Sequence, residues 1–361
     1  MSRRRRIRVA VVDDSTFIRK ALARMLGDHP QIELVGTAGS GEELLAHFDT
    51  WVPDAITLDL DMPGMGGLAT LDHLMARRPT PVIILSTHSG EGAPQTIEAL
   101  HRGATDFIDK QSYSLVDFEA LRAILLEKIF QVTGFVEPEP EPEAPAEPII
   151  PAVTEPEPVP STAPVAFDLI AIGASTGGPP TIQRLLEDLG GSVPVPVVIA
   201  QHMPVGFTRA FAERLHAYLP MAVREPVTGE RLLPDTVYIA PAGQHLRITR
   251  TEDTLTAELS KHPNDVTHIP SVDVLFQSIA MSVGRRAVGI LLTGMGRDGA
   301  QGLLTLKGAG GFTIAQDEVS SVVYGMPRAA ALVGAAREIV ALNGLGKRLG
   351  ELLEDGDPER D

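Results

Sequence analysis

The sequence predicts an α/β protein built from two doubly wound parallel-sheet domains joined by a disordered segment. Three observations carry this. Short apolar runs alternate with segments of helical spacing over the first third of the chain. The same rhythm returns in the second half. Between them lies a stretch whose composition cannot build a packed core.

Ile7–Val12 is an apolar strand, and residues 16–26 follow with Phe17, Leu22, Met25 and Leu26 at helical spacing. Ile32–Ala38 is a second strand and 41–48 a second helix. Residues 55–58, 82–85 and 107–108 are further short strands, with helices between them. Apolar strands separated by helices imply a parallel sheet covered on both faces. The second half offers strands at 167–172, 195–200, 237–240, 288–292 and 312–315, helices at 181–189 and 209–219, and a hairpin near 245–259.

Residues 134–166 hold 10 of the 29 prolines and seven glutamates, with no lysine or arginine. Proline removes backbone donors and the glutamates repel one another, so this stretch is expected to be an extended spacer. The expected division is therefore a first domain over 1–133, the spacer over 134–166 and a second domain over 167–355. At about 3.1 Å per residue a spacer of about thirty residues reaches about 90 Å, so it cannot itself hold the domains together.

Composition narrows the chemistry. The absence of cysteine excludes disulfides, thiolate metal sites and a cysteine nucleophile. A net charge of −16 opposes binding to nucleic acid and to anionic lipid, so neither is an expected partner. No apolar run approaches the roughly 18 residues that insertion into a membrane requires. The arginines at 3–6 precede only a short apolar run and two aspartates, which is not an export signal, and a cytoplasmic location is expected.

In open parallel sheets, ligands sit at the carboxyl ends of the strands. In the first domain Asp13 and Asp14 follow the first strand, and Asp59 closes the third in TLDLDMPGMGG. Ser86 ends the fourth strand and Lys110 follows the fifth. Three clustered carboxylates call for a hard divalent cation such as Mg²⁺. A carboxylate beside that cation can attack a phosphoryl group, and a hydroxyl and an ammonium can hold the product. Residues 7 to about 130 resemble a response-regulator receiver domain of flavodoxin-like fold. The resemblance implies Asp59 as the phosphorylation site, with Asp13, Asp14 and the backbone carbonyl of Asp61 completing the metal site. It implies Ser86 as the switch hydroxyl, Phe107 as the switch aromatic, Lys110 as the phosphate-binding lysine and a histidine kinase as phosphodonor. Receivers usually carry proline after that lysine; here it is Gln111.

In the second domain, IAIGASTGGPP runs from a strand through glycines into a helix and contains the G-x-S-x-G pattern around Ser175. Such a turn lifts a serine hydroxyl above the sheet, and on its own it suits a phosphate cradle equally well. The surroundings favour the nucleophile. His202 follows the next strand on the same rim, and Asp298 lies beyond a later strand among glycines, where a serine–histidine–aspartate relay needs them. His245, His262 and His268 read as solvated or structural, and Asp273 as a helix-start residue.

The pieces GASTGG, AQHMP, IAP, LLTGMGRDG and SVVYGMP, in this order and behind a receiver, resemble the catalytic domain of chemotaxis receptor methylesterases, the CheB family, over 167 to about 350. That resemblance implies a Rossmann-like serine esterase with Ser175 as nucleophile, His202 as general base and then acid, and Asp298 orienting the histidine. Backbone N–H groups near Met295 and His202, supported by Thr176, would form the oxyanion hole. The implied substrate is a glutamate methyl ester on a chemoreceptor, with amide hydrolysis of receptor glutamines as a second activity and no cofactor for the esterase. Two rivals differ in class. A receiver-controlled transcription factor would need a basic recognition helix, which the acidic α/β output half does not offer. A small-ester hydrolase would keep the triad and lose the receptor. For the first domain, Asp59→Asn is expected to fold yet accept no phosphoryl label, and labelling of the natural chain is expected to need Mg²⁺ or Mn²⁺. Phosphodonor labelling with and without chelator checks both.

Overall fold

The computed structural model describes residues 6–86, 93–110, 118–135 and 167–355; Gln111 and residues 136–166 of the expected spacer lie outside these. The first sheet holds β1 (Ile7–Val12), β2 (Ile32–Ala38), β3 (Ala55–Asp59), β4 (Val82–Ser86) and β5 (Asp106–Asp109) in the order β2-β1-β3-β4-β5, parallel throughout. Helices α1 (Thr16–Gly27), α2 (Gly41–Trp51), α3 (Gly66–Arg77), α4 (Ala93–His101) and α5 (Phe118–Val132) cover its faces. This order is the flavodoxin-like one. Local signals set the helix starts. Ser15 accepts from the Ile18 N–H at the start of α1. Ser40 accepts from Glu43 N–H at the start of α2, while the Glu43 carboxylate reaches back to the Gly39 N–H at 2.6 Å.

The second sheet has seven parallel strands. These are β6 (Leu169–Ala174), β7 (Val197–Gln201), β8 (Ala222–Arg224), β9 (Thr236–Ile239), β12 (Ala287–Leu291), β13 (Phe312–Gln316) and β14 (Glu338–Val340). Their order is β14-β13-β12-β6-β7-β9-β8. A hairpin, β10 (His245–Thr251) with β11 (Thr254–Ser260), stands apart from it. The helices are α6 (Gly178–Asp188), α7 (Phe207–Tyr218), α8 (Val272–Ser282), α9 (Ala300–Gly308), α10 (Met326–Leu332) and α11 (Leu342–Asp355). From β6 the chain first builds toward β8, then returns to β12 on the other side and builds toward β14. The crevice between the loops after β6 and β12 is therefore the topological switch point, where such sheets bind ligands.

Three-residue edge strands β8 and β14 escape a reading based on apolar runs, because an edge strand buries little. Helix α6 begins at Gly178 rather than Thr181, since Pro179 and Pro180 sit in its first turn, where a missing N–H costs nothing. Helix α8 is capped by Ser271, whose hydroxyl accepts from Val274 N–H; Asp273 lies inside the first turn and is not the cap.

The two sheets meet through one flank of the receiver-like unit. Helix α4 packs on α7 and α6, and the Phe107 ring lies 4.5 Å from that of Phe207, which opens α7. His101 Nδ1 is 2.8 Å from Gln183 Oε1. Arg214 pairs with Glu98 and lies 4.1 Å over the Tyr218 ring. No helix among the described residues is long and apolar enough to cross a membrane. Arg214→Glu would set two carboxylates against each other across this contact. Amide hydrogen exchange in α4 is expected to quicken by about tenfold, the equivalent of about 1.4 kcal/mol.

Candidate active site

The loop after β6 fixes Ser175. Its N–H donates to Thr293 O at 3.0 Å, which carries the β6–β12 pairing past the ends of both strands. Gly294 then lies directly against the serine: a Cβ there would stand 2.8 Å from Ser175 Cβ, so no larger residue fits. Gly177 turns the chain into α6 at φ +73°, where Val322 packs over it. The Thr293 hydroxyl donates to Thr176 O at 3.0 Å and accepts from Val323 N–H, so the loops after β6, β12 and β13 are tied together.

His202 follows β7. The preceding Gln201 is buried, and its Nε2 donates to Ser175 O at 2.9 Å and to His202 O at 3.0 Å. One amide thus sets the spacing of the serine and histidine loops. His202 N–H donates to Ala174 O at 3.1 Å. That donor is committed, so a backbone N–H near His202 other than its own would have to serve the expected oxyanion hole. Among the described residues, no acceptor is bonded to the N–H groups of Thr176 or Met295, and these remain the candidate donors.

Asp298 stands at the centre. Its Oδ2 lies 2.8 Å from His202 Nε2 and accepts Val272 N–H at 2.8 Å; its Oδ1 accepts Ser271 Oγ at 2.9 Å and Asp273 N–H at 3.0 Å. The carboxylate therefore sits on the N-terminus of α8, in the field of the helix and of its unpaired donors. Burial alone would raise its pKa. The His202 hydrogen bond and charge, with the two backbone N–H groups, outweigh this and hold it well below the ordinary carboxylate range. His202 Nδ1 is buried and has no hydrogen-bond partner, which leaves it as the ring nitrogen able to take a proton from an incoming hydroxyl.

His268 is the site residue that sequence reasoning passed over. Its ring stacks on His202, centroids 4.0 Å apart and planes 20° from parallel. His268 is exposed as a whole, and its pKa is lowered, first by the partial loss of water where the ring stacks and then by the adjacent His202. His262 is exposed. His245 is buried and structural, its Nε2 at Pro263 O and its Nδ1 accepting Ser271 N–H. Asp273 takes no place beside the serine; it accepts the Gly302 N–H. Met295, 38% exposed, stands on the rim.

A cavity of about 310 Å³ opens at Ser175, His202 and His268, and its far wall is Phe107, Asp109 and Lys128 of the first domain. It adjoins a groove of about 1120 Å³ that runs past Thr176, Met295 and Arg297 and is bordered by Glu127 and Gln131 of α5.

The acidic pocket of the first sheet is also assembled. Carboxylate oxygens of Asp13, Asp14 and Asp59 all lie within 4.8 Å of one another, a hard-oxygen set that fits a divalent cation. Lys110 Nζ lies 2.8 Å from Asp13 and 3.1 Å from Asp59. Burial pushes the Asp59 carboxyl up, Lys110 pulls it down and Asp13 pushes it up again, for a net rise. Ser86 and Phe107 are buried nearby, and Asp61 N–H donates to Asp59 at 3.3 Å.

A parallel-sheet unit with serine, histidine and half-buried aspartate on one rim, coupled to a receiver unit, defines the class of receiver-linked hydrolases. Comparison with known proteins narrows it. Residues 170–349 match the CheB methylesterase family and residues 9–124 the response regulator receiver domain. The protein-glutamate methylesterase/protein-glutamine glutaminase 1 of Oleidesulfovibrio alaskensis is 41% identical over 95% of this chain and 98% of its own length. The corresponding protein 2 of Nitratidesulfovibrio vulgaris is 43% identical over 93% and 96%. The crystal structure of the Thermotoga maritima CheB methylesterase catalytic domain aligns over 52% of this chain and 100% of its own, with TM-score 0.50 and 34% identity. The chain belongs to the CheB methylesterase family and carries its receiver domain.

Asp298→Ala removes acceptors for two helix N–H groups, a hydroxyl and an imidazole, and is expected to cost about 3 kcal/mol of stability at neutral pH. A carboxylate with a depressed folded-state pKa contributes fully above its unfolded value of about 4, and the contribution is lost as pH falls through the folded value. The difference between variant and natural chain in denaturant unfolding should therefore hold from pH 7 to about 5 and shrink below about 4.

Proposed function

We propose that this chain is a protein-glutamate methylesterase and protein-glutamine glutaminase that acts on chemoreceptors in chemotaxis-type adaptation and is switched by phosphorylation of Asp59. The observation that carries the reading is the His202–Asp298 hydrogen bond beside Ser175, with His202 Nδ1 left unpartnered on the same rim.

Ser175 Oγ attacks the glutamyl carbonyl carbon while His202 Nδ1 takes its proton, and Asp298 stabilises the resulting imidazolium. The developing oxyanion lies toward the N–H groups of Thr176 and Met295, where a missing donor typically costs about 10²–10³ in rate. His202 then returns the proton to the leaving methanol, or to ammonia from an amide. Water, deprotonated by the same imidazole, releases the glutamate and restores the serine. In this reading the receiver occupies 1–133 and the esterase 167–355, with 134–166 as their spacer.

In the receiver, Asp13, Asp14 and Asp59, with the Asp61 carbonyl, would hold Mg²⁺, which screens the carboxylates against an incoming phosphoryl group. Asp59 accepts the phosphoryl from a histidine kinase, Lys110 pairs with it, and Ser86 and Phe107 respond to it. The acidic oxygen set supports the cation and the Lys110 pairs support the phosphate.

Ser175→Ala is expected to abolish methanol release from methyl-labelled chemoreceptor while leaving Asp59 labelling intact. Loss of about 10⁴ or more in rate fits a nucleophile, whereas turnover within about tenfold of the natural chain excludes Ser175 from that role.

A further inference from the structure

Asp298 holds His202 at one point, the Nε2 edge of the ring, and leaves Nδ1 unpartnered. One hydrogen bond fixes an edge and lets the plane of the ring swing about it. A general base presents its lone pair in that plane, within hydrogen-bond reach of the proton it takes. A second contact is needed to fix the plane, and the structure supplies it. The His268 ring lies face to face with His202, centroids 4.0 Å apart and planes 20° from parallel. His268 lines both the small cavity and the longer groove that meet at Ser175. The segment that carries it is pinned just beyond the ring. Ile269 O accepts the Gly243 N–H at 3.1 Å, Ser271 N–H donates to His245 Nδ1 at 3.1 Å, and Ser271 Oγ donates to Asp298 at 2.9 Å. Asp298 thus anchors both the edge of His202 and the segment that sets a ring over its face.

We infer that His268 is a positioning residue of the esterase: its flat ring clamps the plane of His202 and keeps Nδ1 directed along the rim that carries Ser175. The inference rests on the methylesterase reading above. His268 exchanges no proton in this role; what it contributes is an aromatic face. Loss of water where the rings stack, and the neighbouring His202, keep the His268 ring uncharged at neutral pH, against the pull of Asp298. An uncharged ring tolerates the imidazolium that His202 becomes on taking the serine proton, whereas a second cation stacked on it would repel it. The effect belongs to the chemical step, so it acts on kcat and leaves the binding of the receptor segment in the groove alone.

The test uses the full chain with acetyl phosphate, acting on methyl-labelled chemoreceptor. His268→Ala removes the ring, His268→Asn keeps a polar side chain without a ring, and His268→Phe keeps a flat face without ring nitrogens. The Ala and Asn variants are expected to lose about tenfold in kcat, the upper range of what an aromatic pair is worth, with KM unchanged. The Phe variant is expected to stay within about threefold of the natural chain, since its ring can stack in the same place. Denaturant unfolding of each variant shows whether it is folded; should Ala not fold, Phe against Asn decides by the same criterion. Equal loss in Phe and in Asn or Ala means that the ring nitrogens matter, and overturns the inference. Unchanged kcat without the ring overturns it as well, as does a change confined to KM. Natural chain that releases no methanol even with acetyl phosphate would instead overturn the methylesterase reading, and this inference with it.

Discussion

The catalytic half depends on one carboxylate, Asp298, placed on the N-terminus of α8. That position answers two demands with one group. The helix start needs acceptors for its free N–H groups, and the His202 ring is held by a hydrogen bond to the same half-buried carboxylate. Burying a lone carboxylate is unfavourable, yet here two N–H donors, a hydroxyl and an imidazole satisfy it. Because the same oxygens cap the helix and hold His202, the ring cannot shift without disturbing α8. Rigidity of the relay is thus inherited from secondary structure rather than from a dedicated scaffold.

Much of this was legible in the residues. Central strands are buried on both faces and read as continuous apolar runs, so β1, β3, β4, β6, β7 and β12 stand out. Ser175 and His202 could be placed on one rim because each directly follows such a strand, and Asp298 because it lies in the glycine-rich loop beyond β12. The cap relation could not be read. Ser271-Val272-Asp273 looks like an ordinary helix start, and nothing local says that its free donors are filled from the distant Asp298. His268 was illegible for a related reason: it lies in a loop with no periodicity, and ring stacking on His202 is a purely tertiary fact. Gln201 was hidden inside AQHMP, where a buried glutamine draws no notice until its two carbonyl partners are seen.

Strand β5 links the two halves with very little structure. Phe107 packs on Phe207 at the start of α7, while Lys110, just past the strand, reaches Asp13 and Asp59. Helix α7 follows the loop that carries His202. A displacement of β5 along its axis therefore has two immediate consequences, one at the acidic pocket and one at the wall of the catalytic cavity. With only four residues in the strand, there is little length over which such a shift can be absorbed.

The contact between halves is built to be reversible. It holds two ring pairs, Phe107–Phe207 and His101–Tyr218, a few neutral hydrogen bonds and the Arg214–Glu98 ion pair, none of which is individually strong. Glu98 also pairs with Arg102, just past the end of α4, so it retains a partner when Arg214 leaves. Arg214 likewise keeps the Tyr218 ring beneath it. Neither charge is stranded by separation, which removes the large penalty that breaking a buried ion pair would otherwise carry. Contacts of this kind are individually modest, as is usual between domains of one chain.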